Sequence, residues 1–162
     1  MNDDDYMRMA LAEARAAGAI GEVPVGAVIV HAPYDAGTRR PTGEPRVIAT
    51  AHNLRETKRD ASAHAEFLAM QAAMEELDAW RLAQCTVYVT LEPCLMCAGL
   101  MHQARVERCV FGAPDPKGGA LGTLYQVHAD ERLNHRFAVT PGVLEDECAT
   151  LLRDFFRERR RS

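Results

Sequence analysis

CTVYVTLEPCLMCAGLMHQARVERCVF, residues 85–111, predicts two strands with a short helix between them. We expect the strands over Cys85–Leu91 and Val106–Phe111, and the helix over Cys94–His102. Pro93, just before it, suits a helix start. Tight links between strand, helix and strand are typical of a parallel crossover unit, which is normally right-handed. The segment therefore predicts an α/β domain.

The flanking segments extend this architecture on both sides. Apolar residues spaced at three and four predict a helix that begins at His64. Apolar spacing and turn residues predict the remaining elements: a helix from Asp3 to Gly18, a strand over Val23–Val30 paired with one over Arg46–Ala51 through an extended hairpin loop over His31–Pro45, a loop over Gly112–Gly122, and a terminal helix from Glu145. We therefore expect a mixed sheet between helices.

Length and composition favour one domain over residues 1–162. Its 162 residues are enough to form one core but too few for two ordinary domains. The chain is 48% hydrophobic and 26% charged, which is typical of a globular protein. Its apolar runs are strand-sized, below the ~20 residues of a membrane helix, so no membrane partner is expected. The acidic start, Met1–Asp5, is unlike a secretory signal. We expect a reducing, cytoplasmic setting, in which paired cysteines favour metal binding or catalysis.

The charge is unevenly distributed along the chain. The net charge is −4, but residues 151–162 contain five arginines and two acidic residues, a local charge of +3. An overall acidic chain argues weakly against a nucleic-acid partner, whereas a basic C-terminal end is a place where a polyanion could bind.

Three side chains are candidate metal ligands. Cys94 and Cys97, three positions apart, share one face of the first turn of their helix, where the positive end of the dipole lowers a thiol pKa. His64 is the third candidate, and Glu66 follows it by two positions. Positions two apart on a helix point about 200° apart, so both can reach one metal only if it lies beyond the helix end. We therefore expect two helix N-termini to meet at one ion.

Three ligands and a free carboxylate indicate catalysis, because a structural zinc site uses four protein ligands and a catalytic one keeps a position for water. We expect one Zn²⁺ per chain with a bound water or hydroxide, since zinc lowers the pKa of water from 15.7 to roughly 7. Glu66 is suited to move the water proton to the substrate, a contribution of about 10²–10⁴-fold. A ring carbon that carries an amine fits this chemistry, with ammonia as the leaving group.

His-x-Glu followed by Pro-Cys-x-x-Cys is typical of zinc nucleobase deaminases. The chain around these motifs resembles the bacterial tRNA-specific adenosine deaminases, within the cytidine/deoxycytidylate deaminase superfamily. The resemblance covers nearly the whole chain and is carried by Glu22-Val23-Pro24-Val25-Gly26-Ala27-Val28, Ala63-His64-Ala65-Glu66, the run from Tyr88 to Gly99, Val110-Phe111-Gly112-Ala113, Asn134-His135-Arg136 and Asp154-Phe155-Phe156-Arg157.

The resemblance implies a fold, a reaction and a partner. The fold is cytidine-deaminase-like, a three-layer α/β/α arrangement with a mixed, mainly parallel five-stranded sheet, in a homodimer. The reaction is hydrolytic deamination of adenosine to inosine at the wobble position of a tRNA anticodon, by attack of zinc-activated water on C6. The expected partner is therefore a tRNA anticodon stem-loop, whose unstacked bases enter a pocket at modest cost.

The resemblance also implies roles for particular residues. His64, Cys94 and Cys97 match the zinc ligands, and Glu66 matches the proton shuttle. Asn53 matches an asparagine that hydrogen-bonds the adenine, and Asp115 matches an aspartate that contacts a neighbouring nucleotide; both residue types are also common in turns. The chain departs from the family pattern in a longer loop over Ala32–Pro45, in Ala61 where proline is common, and in Pro114 where arginine is common.

The arginines Arg157, Arg159 and Arg160 are candidates for contact with the RNA backbone. Basic residues also complement the negative end of a helix, so both interpretations stay open. Phe155 and Phe156 point about 100° apart, which leaves one of them available to contact a base or ribose.

Two other functions share the metal motifs. A deaminase of free bases, nucleosides or nucleotides, such as guanine, cytosine or deoxycytidylate, would have the same two sequence motifs. A non-catalytic zinc module that binds RNA or a protein partner would add a fourth protein ligand and would not depend on Glu66.

Overall fold

The computed structural model describes residues 1–161, which form a five-stranded sheet and its flanking helices. The strands are β1 (Gly26–His31), β2 (Arg46–His52), β3 (Cys85–Leu91), β4 (Arg108–Ala113) and β5 (Ala138–Thr140). The helices are α1 (Asp3–Ala19), α2 (Arg55–Lys58), α3 (Ala65–Leu77), α4 (Leu95–Ala104) and α5 (Glu145–Arg161), with a 3₁₀ turn over Val127–Ala129.

The sheet is mixed, with the strand order β2-β1-β3-β4-β5. β1 pairs antiparallel with β2 and with β3, whereas β3–β4 and β4–β5 are parallel. Four of the five described strands thus run in one direction, and only β1 is reversed. The expectation of a mainly parallel sheet is therefore only partly right. β1 and β2 form an antiparallel pair without a crossover helix, so the reversed strand lies between two parallel ones.

Helices cover both faces of the sheet, so the α/β class and the three layers are confirmed. Residues alternate across β1 because side chains of a strand point to opposite faces. Ile29 packs in a core that includes Met70 of α3 and Met101 of α4. Val28 lies in a second core with Met7 of α1, to which α5 also contributes.

The first strand begins three residues later than expected. Pro24 has no backbone N–H to donate to a ladder, and the amide of Val25 bonds locally to the carbonyl of Val23 at 2.9 Å. The strand opens at Gly26, where helix α1 crosses so closely that a Cβ atom would lie 2.0 Å from the Ala10 carbonyl oxygen. Glycine is therefore required at this crossing.

The long loop over residues 32–45 follows the end of β1 that pairs with the start of β3. It is fastened there by Tyr34, whose hydroxyl donates to Glu107 at 2.6 Å and whose amide donates to Gln84 at 3.1 Å. This end of the sheet is opposite the carboxyl end of β3, so the loop lies away from the metal motifs. No helix within residues 1–161 has both the length and the apolar character of a membrane span.

Candidate metal centre and active site

The three candidate ligands meet where two helices begin. His64 is the N-cap residue of α3 and Cys94 is the N-cap residue of α4, while Cys97 lies in the first turn of α4. The Nδ1 atom of His64 is 3.6 Å from the Sγ atom of each cysteine. Among residues 1–161 this is the one group of three histidine, cysteine or acidic side chains close enough to hold an ion. The convergence of two helix N-termini, expected from the spacing, is confirmed.

The spacing of these atoms fits a tetrahedral zinc site. With Zn–S of about 2.3 Å and Zn–N of about 2.0–2.1 Å, tetrahedral angles place nitrogen and sulfur about 3.6 Å apart. Both observed Nδ1–Sγ separations have this value. A set of two sulfurs and one imidazole nitrogen is also the donor chemistry that zinc prefers. His64, Cys94 and Cys97 could therefore hold Zn²⁺ without rearrangement.

The electrostatics of the group favour a thiolate. Hydrogen bonds from the thiol of Cys97 and from His64 lower the pKa of Cys94 to about 4, against the effect of burial. The same contact with Cys94 raises the pKa of Cys97, and it raises the pKa of His64. One thiolate is thus stabilised before any ion binds, and ion binding would release the protons that His64 and Cys97 hold.

Glu66 lies beside the ligands but in the first turn of α3, and it is only 4% exposed. Burial raises the pKa of its carboxyl group to about 7, although the neighbouring His64 lowers it. A group whose pKa is close to neutral can both accept and release a proton at physiological pH. Glu66 therefore has the position and the protonation behaviour of a proton shuttle.

These groups line a cavity of about 240 Å³. His64, Glu66 and Cys94 are among its lining residues, and Val23, Val25 and Leu91 supply apolar surface. The cavity is smaller than the ~300–1,000 Å³ of sites for drug-sized ligands, so it suits a single ring system. Polar groups in a largely apolar pocket can orient such a ring.

Asn53 lines the same cavity and is 8% exposed. Its Oδ1 accepts a hydrogen bond from the amide of Arg55 at 3.0 Å, and its Nδ2 donates to the carbonyl of Val23 at 3.3 Å. An amide side chain has two donor hydrogens and two acceptor lone pairs, so one of each is left for a ligand. The turn role and the substrate role are therefore compatible.

Asp115 also lines the cavity, and its carboxylate closes a local turn. Its Oδ1 accepts from the amides of Lys117 at 3.0 Å and Gly118 at 3.2 Å. The second oxygen of the carboxylate is left for a ligand, so the arrangement is compatible with the predicted substrate contact, which stays a prediction.

Sequence reasoning assigned no role to two buried glutamates next to the site. Glu22, 1% exposed, accepts hydrogen bonds from the amides of Glu56 at 3.2 Å and Thr57 at 2.6 Å, and so holds helix α2 beside Asn53. Glu92, 2% exposed, lines the cavity and binds the segment that carries Asp115. In the sequence, the one feature that distinguishes them is that both lie within stretches that resemble the deaminase family.

The C-terminal arginines lie outside the cavity, along an adjacent groove. The groove is lined by Lys117, Arg153, Arg157, Arg159 and Arg160, together with Pro116, Leu152 and Phe156. Phe156 borders both the groove and the cavity. Arg159 also donates to the carbonyl of Gly21 and stacks over Phe155 at 4.8 Å. The structure thus joins a cationic groove to the candidate active site.

The chain is similar to known deaminases along nearly its whole length. A family model of MafB19-like deaminases matches residues 1–160. The tRNA-specific adenosine deaminase of Bacillus subtilis strain 168 is 50% identical over 159 residues, which are 98% of this chain and 91% of that protein. The protein of the same name from Haemophilus influenzae is 42% identical over 158 residues, 98% of this chain and 85% of that protein. A solved structure from work on A-to-I editing by tRNA:A34 deaminases at the wobble position of transfer RNA has a TM-score of 0.79 and 39% identity, over 91% of this chain and 99% of that chain.

Proposed function

The chain belongs to the tRNA-specific adenosine deaminases, within the MafB19-like deaminase family, and we propose that it converts adenosine to inosine at the wobble position of a tRNA anticodon. The observation that carries the proposal is the meeting of His64, Cys94 and Cys97 at two helix N-termini beside the buried Glu66. The reaction consumes one water molecule and releases ammonia, which makes the enzyme a hydrolase of a C–N bond.

Each residue of the site has a separate role in the proposed reaction. His64, Cys94 and Cys97 would hold Zn²⁺, which when bound supplies a Lewis acid that lowers the pKa of water. Glu66 accepts the proton that water loses as it attacks C6 of the adenine, and returns it to the departing amine or to the ring nitrogen. Asn53 orients the base through its free donor and acceptor, and the apolar lining from Val25 and Leu91 limits access of bulk water.

The cationic groove supports a substrate larger than a free base. A base that enters the cavity is linked through its ribose to phosphates, which stay outside. The groove adjoins the cavity at Phe156, which borders both. Arg157, Arg159 and Arg160 are the proposed contacts to those phosphates. Phe156 offers a ring face on which a flanking base can stack.

We further propose that the protein acts as a homodimer of one-domain chains in the cytoplasm, where tRNA is found. Leu95, Leu124 and Tyr125 are about half exposed, and apolar side chains of this size favour burial at an interface. The loop that carries Leu124 and Tyr125 is tied to the start of α4, next to Leu95, by a 2.9 Å hydrogen bond from Ala120 to the carbonyl of Pro93. A second copy of the chain would cover these side chains.

The test of the proposed function offers several substrates to the purified, zinc-loaded protein. These are an anticodon stem-loop with adenosine at the wobble position, the same stem-loop with the adenosine moved by one position, free adenosine, guanine and cytidine. Mass spectrometry detects the exchange of NH for oxygen. We expect turnover of the first stem-loop alone. Turnover of guanine or cytidine, with the stem-loop unchanged, would instead identify a deaminase of free bases or nucleosides.

A further inference from the structure

Glu92 is a buried carboxylate that the proposed chemistry does not use. It lies between the end of β3 and Pro93, and its carboxylate accepts four hydrogen bonds from residues 115–123, which we call the 115–123 loop. The amide of Asp115 donates to Oε1 at 3.0 Å, and the amides of Leu121 and Thr123 donate to Oε2, each at 3.1 Å. The hydroxyl of Thr123 donates to Oε1.

All four donors are neutral, three backbone amides and one hydroxyl. Hydrogen bonds to an ionised acceptor are about twice as strong as those between neutral groups, so the loop is held firmly at several points. The main chain of Glu92 adds a further connection, because its amide donates to the carbonyl of Ala113 at 2.8 Å, just before the loop.

The path of the loop over the carboxylate leaves no room for a side chain at Gly119. A Cβ atom there would lie 2.3 Å from Cδ of Glu92 and 2.4 Å from each carboxylate oxygen. The amide of the next residue, Ala120, donates to the carbonyl of Pro93 at 2.9 Å. The loop therefore packs closely around the carboxylate of Glu92.

We propose that Glu92 is a positioning residue that fixes the 115–123 loop, and with it Asp115, in the conformation that receives the RNA substrate. Glu92 and Asp115 both line the cavity. The side chain of Asp115 is set by its own turn, through Lys117 and Gly118, whereas its main chain is set by Glu92. The inference rests on the proposed function, since it assigns the loop to substrate binding.

The experiment compares wild type with Glu92→Gln, both loaded with zinc. Glutamine keeps the shape but turns an NH₂ donor toward amides that themselves donate. We expect the amides of Asp115, Leu121 and Thr123 to exchange hydrogen for deuterium faster in the variant. The KM for the stem-loop should rise about ten-fold or more, the effect of losing a hydrogen bond to a charged group. Zinc content should stay at one per chain, and kcat should change less than KM.

Thr123→Val and Glu22→Gln provide a second test and a control, which also serve if Glu92→Gln folds poorly. Thr123→Val removes the hydroxyl donor alone and should raise exchange in the loop and KM in the same direction, by less. Glu22→Gln removes a buried carboxylate that binds α2, and should leave amide exchange in the 115–123 loop as in wild type.

Unchanged exchange and unchanged KM in both loop variants would overturn the proposal. Loss of zinc with an equal fall in kcat would also overturn it, because Glu92 would then serve the metal ligands. If wild type does not act on the stem-loop, the proposed function fails, while the exchange data still decide whether Glu92 holds the loop.

Discussion

Replacing Glu66 by glutamine tests the proton shuttle directly. Glutamine has nearly the same shape, so packing around a residue that is 4% exposed is kept while the titratable group is lost. We expect the variant to retain one zinc per chain, because Glu66 is not among the three candidate ligands. Its kcat/KM for the stem-loop should fall by about 10²–10⁴-fold, the usual contribution of a positioned acid–base group. At about 1.4 kcal/mol per factor of ten, this is a loss of about 3–5 kcal/mol of transition-state stabilisation.

The burial of Glu66 also predicts how the free energy of unfolding of the metal-free protein depends on pH. Burial raises the pKa of Glu66 from 4.5 to about 7, so the folded state binds more protons than the unfolded state between these two values. The free energy of unfolding therefore falls as the pH rises through this window, by about 3 kcal/mol at about 1.4 kcal/mol per pH unit. Glutamine cannot ionise. Metal-free Glu66→Gln should lack this fall and exceed metal-free wild type in stability near pH 8.

Glu22 provides a matched control, because its pKa is shifted in the direction opposite to that of Glu66. Burial alone would raise its pKa, but hydrogen bonds from Thr57 and Glu56 outweigh that effect and hold the pKa of Glu22 below its usual value. Its contribution to stability is present above the unfolded pKa and is lost as the pH falls through the lowered folded value. Glu22→Gln should therefore lower the free energy of unfolding at neutral pH by about 1–3 kcal/mol.

The assays are metal analysis, single-turnover kinetics on the stem-loop, and urea unfolding between about pH 4 and pH 8 with a chelator present. Full turnover by zinc-loaded Glu66→Gln would refute the shuttle and favour a non-catalytic zinc module. A metal-free variant whose stability follows pH as wild type does would refute the assignment of that pH dependence to Glu66.

Three other predictions concern the metal, the N-terminal helix and the basic groove. Removal of the metal by a chelator should lower the melting temperature measured by calorimetry, and added Zn²⁺ should restore it; an unaffected melting temperature would mean that no ion is held. Asp3→Asn should cost about 1 kcal/mol at neutral pH in urea unfolding, since Asp3 pairs with Arg108 at 2.9 Å in a partly exposed contact. Because the hydrogen bond from Arg108 lowers the pKa of Asp3, this difference should shrink as the pH falls through that lowered value, and a difference independent of pH would contradict the ion pair. Changing Arg157, Arg159 and Arg160 together to alanine should weaken stem-loop binding and reduce the slope of log Kd against log salt by about one for each lost phosphate contact; an unchanged slope would return these arginines to a role at the helix end.

The sequence predicts the element types well, because these depend on neighbours along the chain. The candidate ligands His64 and Cys94 lie thirty positions apart, and only the fold brings them together. Apolar spacing marks the helix after His64, and the β-branched run marks β3. The two-residue offset of His64 and Glu66 predicts a helix end at the candidate metal site, and helix α3 begins there, with His64 as its N-cap residue. The same local logic fails at Val23, where the apolar run continues but Pro24 interrupts the ladder.

The hairpin loop already predicts that β1 and β2 are antiparallel. Tertiary structure alone decides that β1 also pairs antiparallel with β3, and it alone decides the roles of Glu22 and Glu92. Strand order depends on contacts between residues far apart in sequence, which no local pattern records. Both glutamates bind backbone amides, and every residue except proline carries such a donor. The residue types at positions 57, 115 and 121 therefore do not indicate that their amides bind a carboxylate. Only the folded path of the chain brings these amides to Glu22 and Glu92.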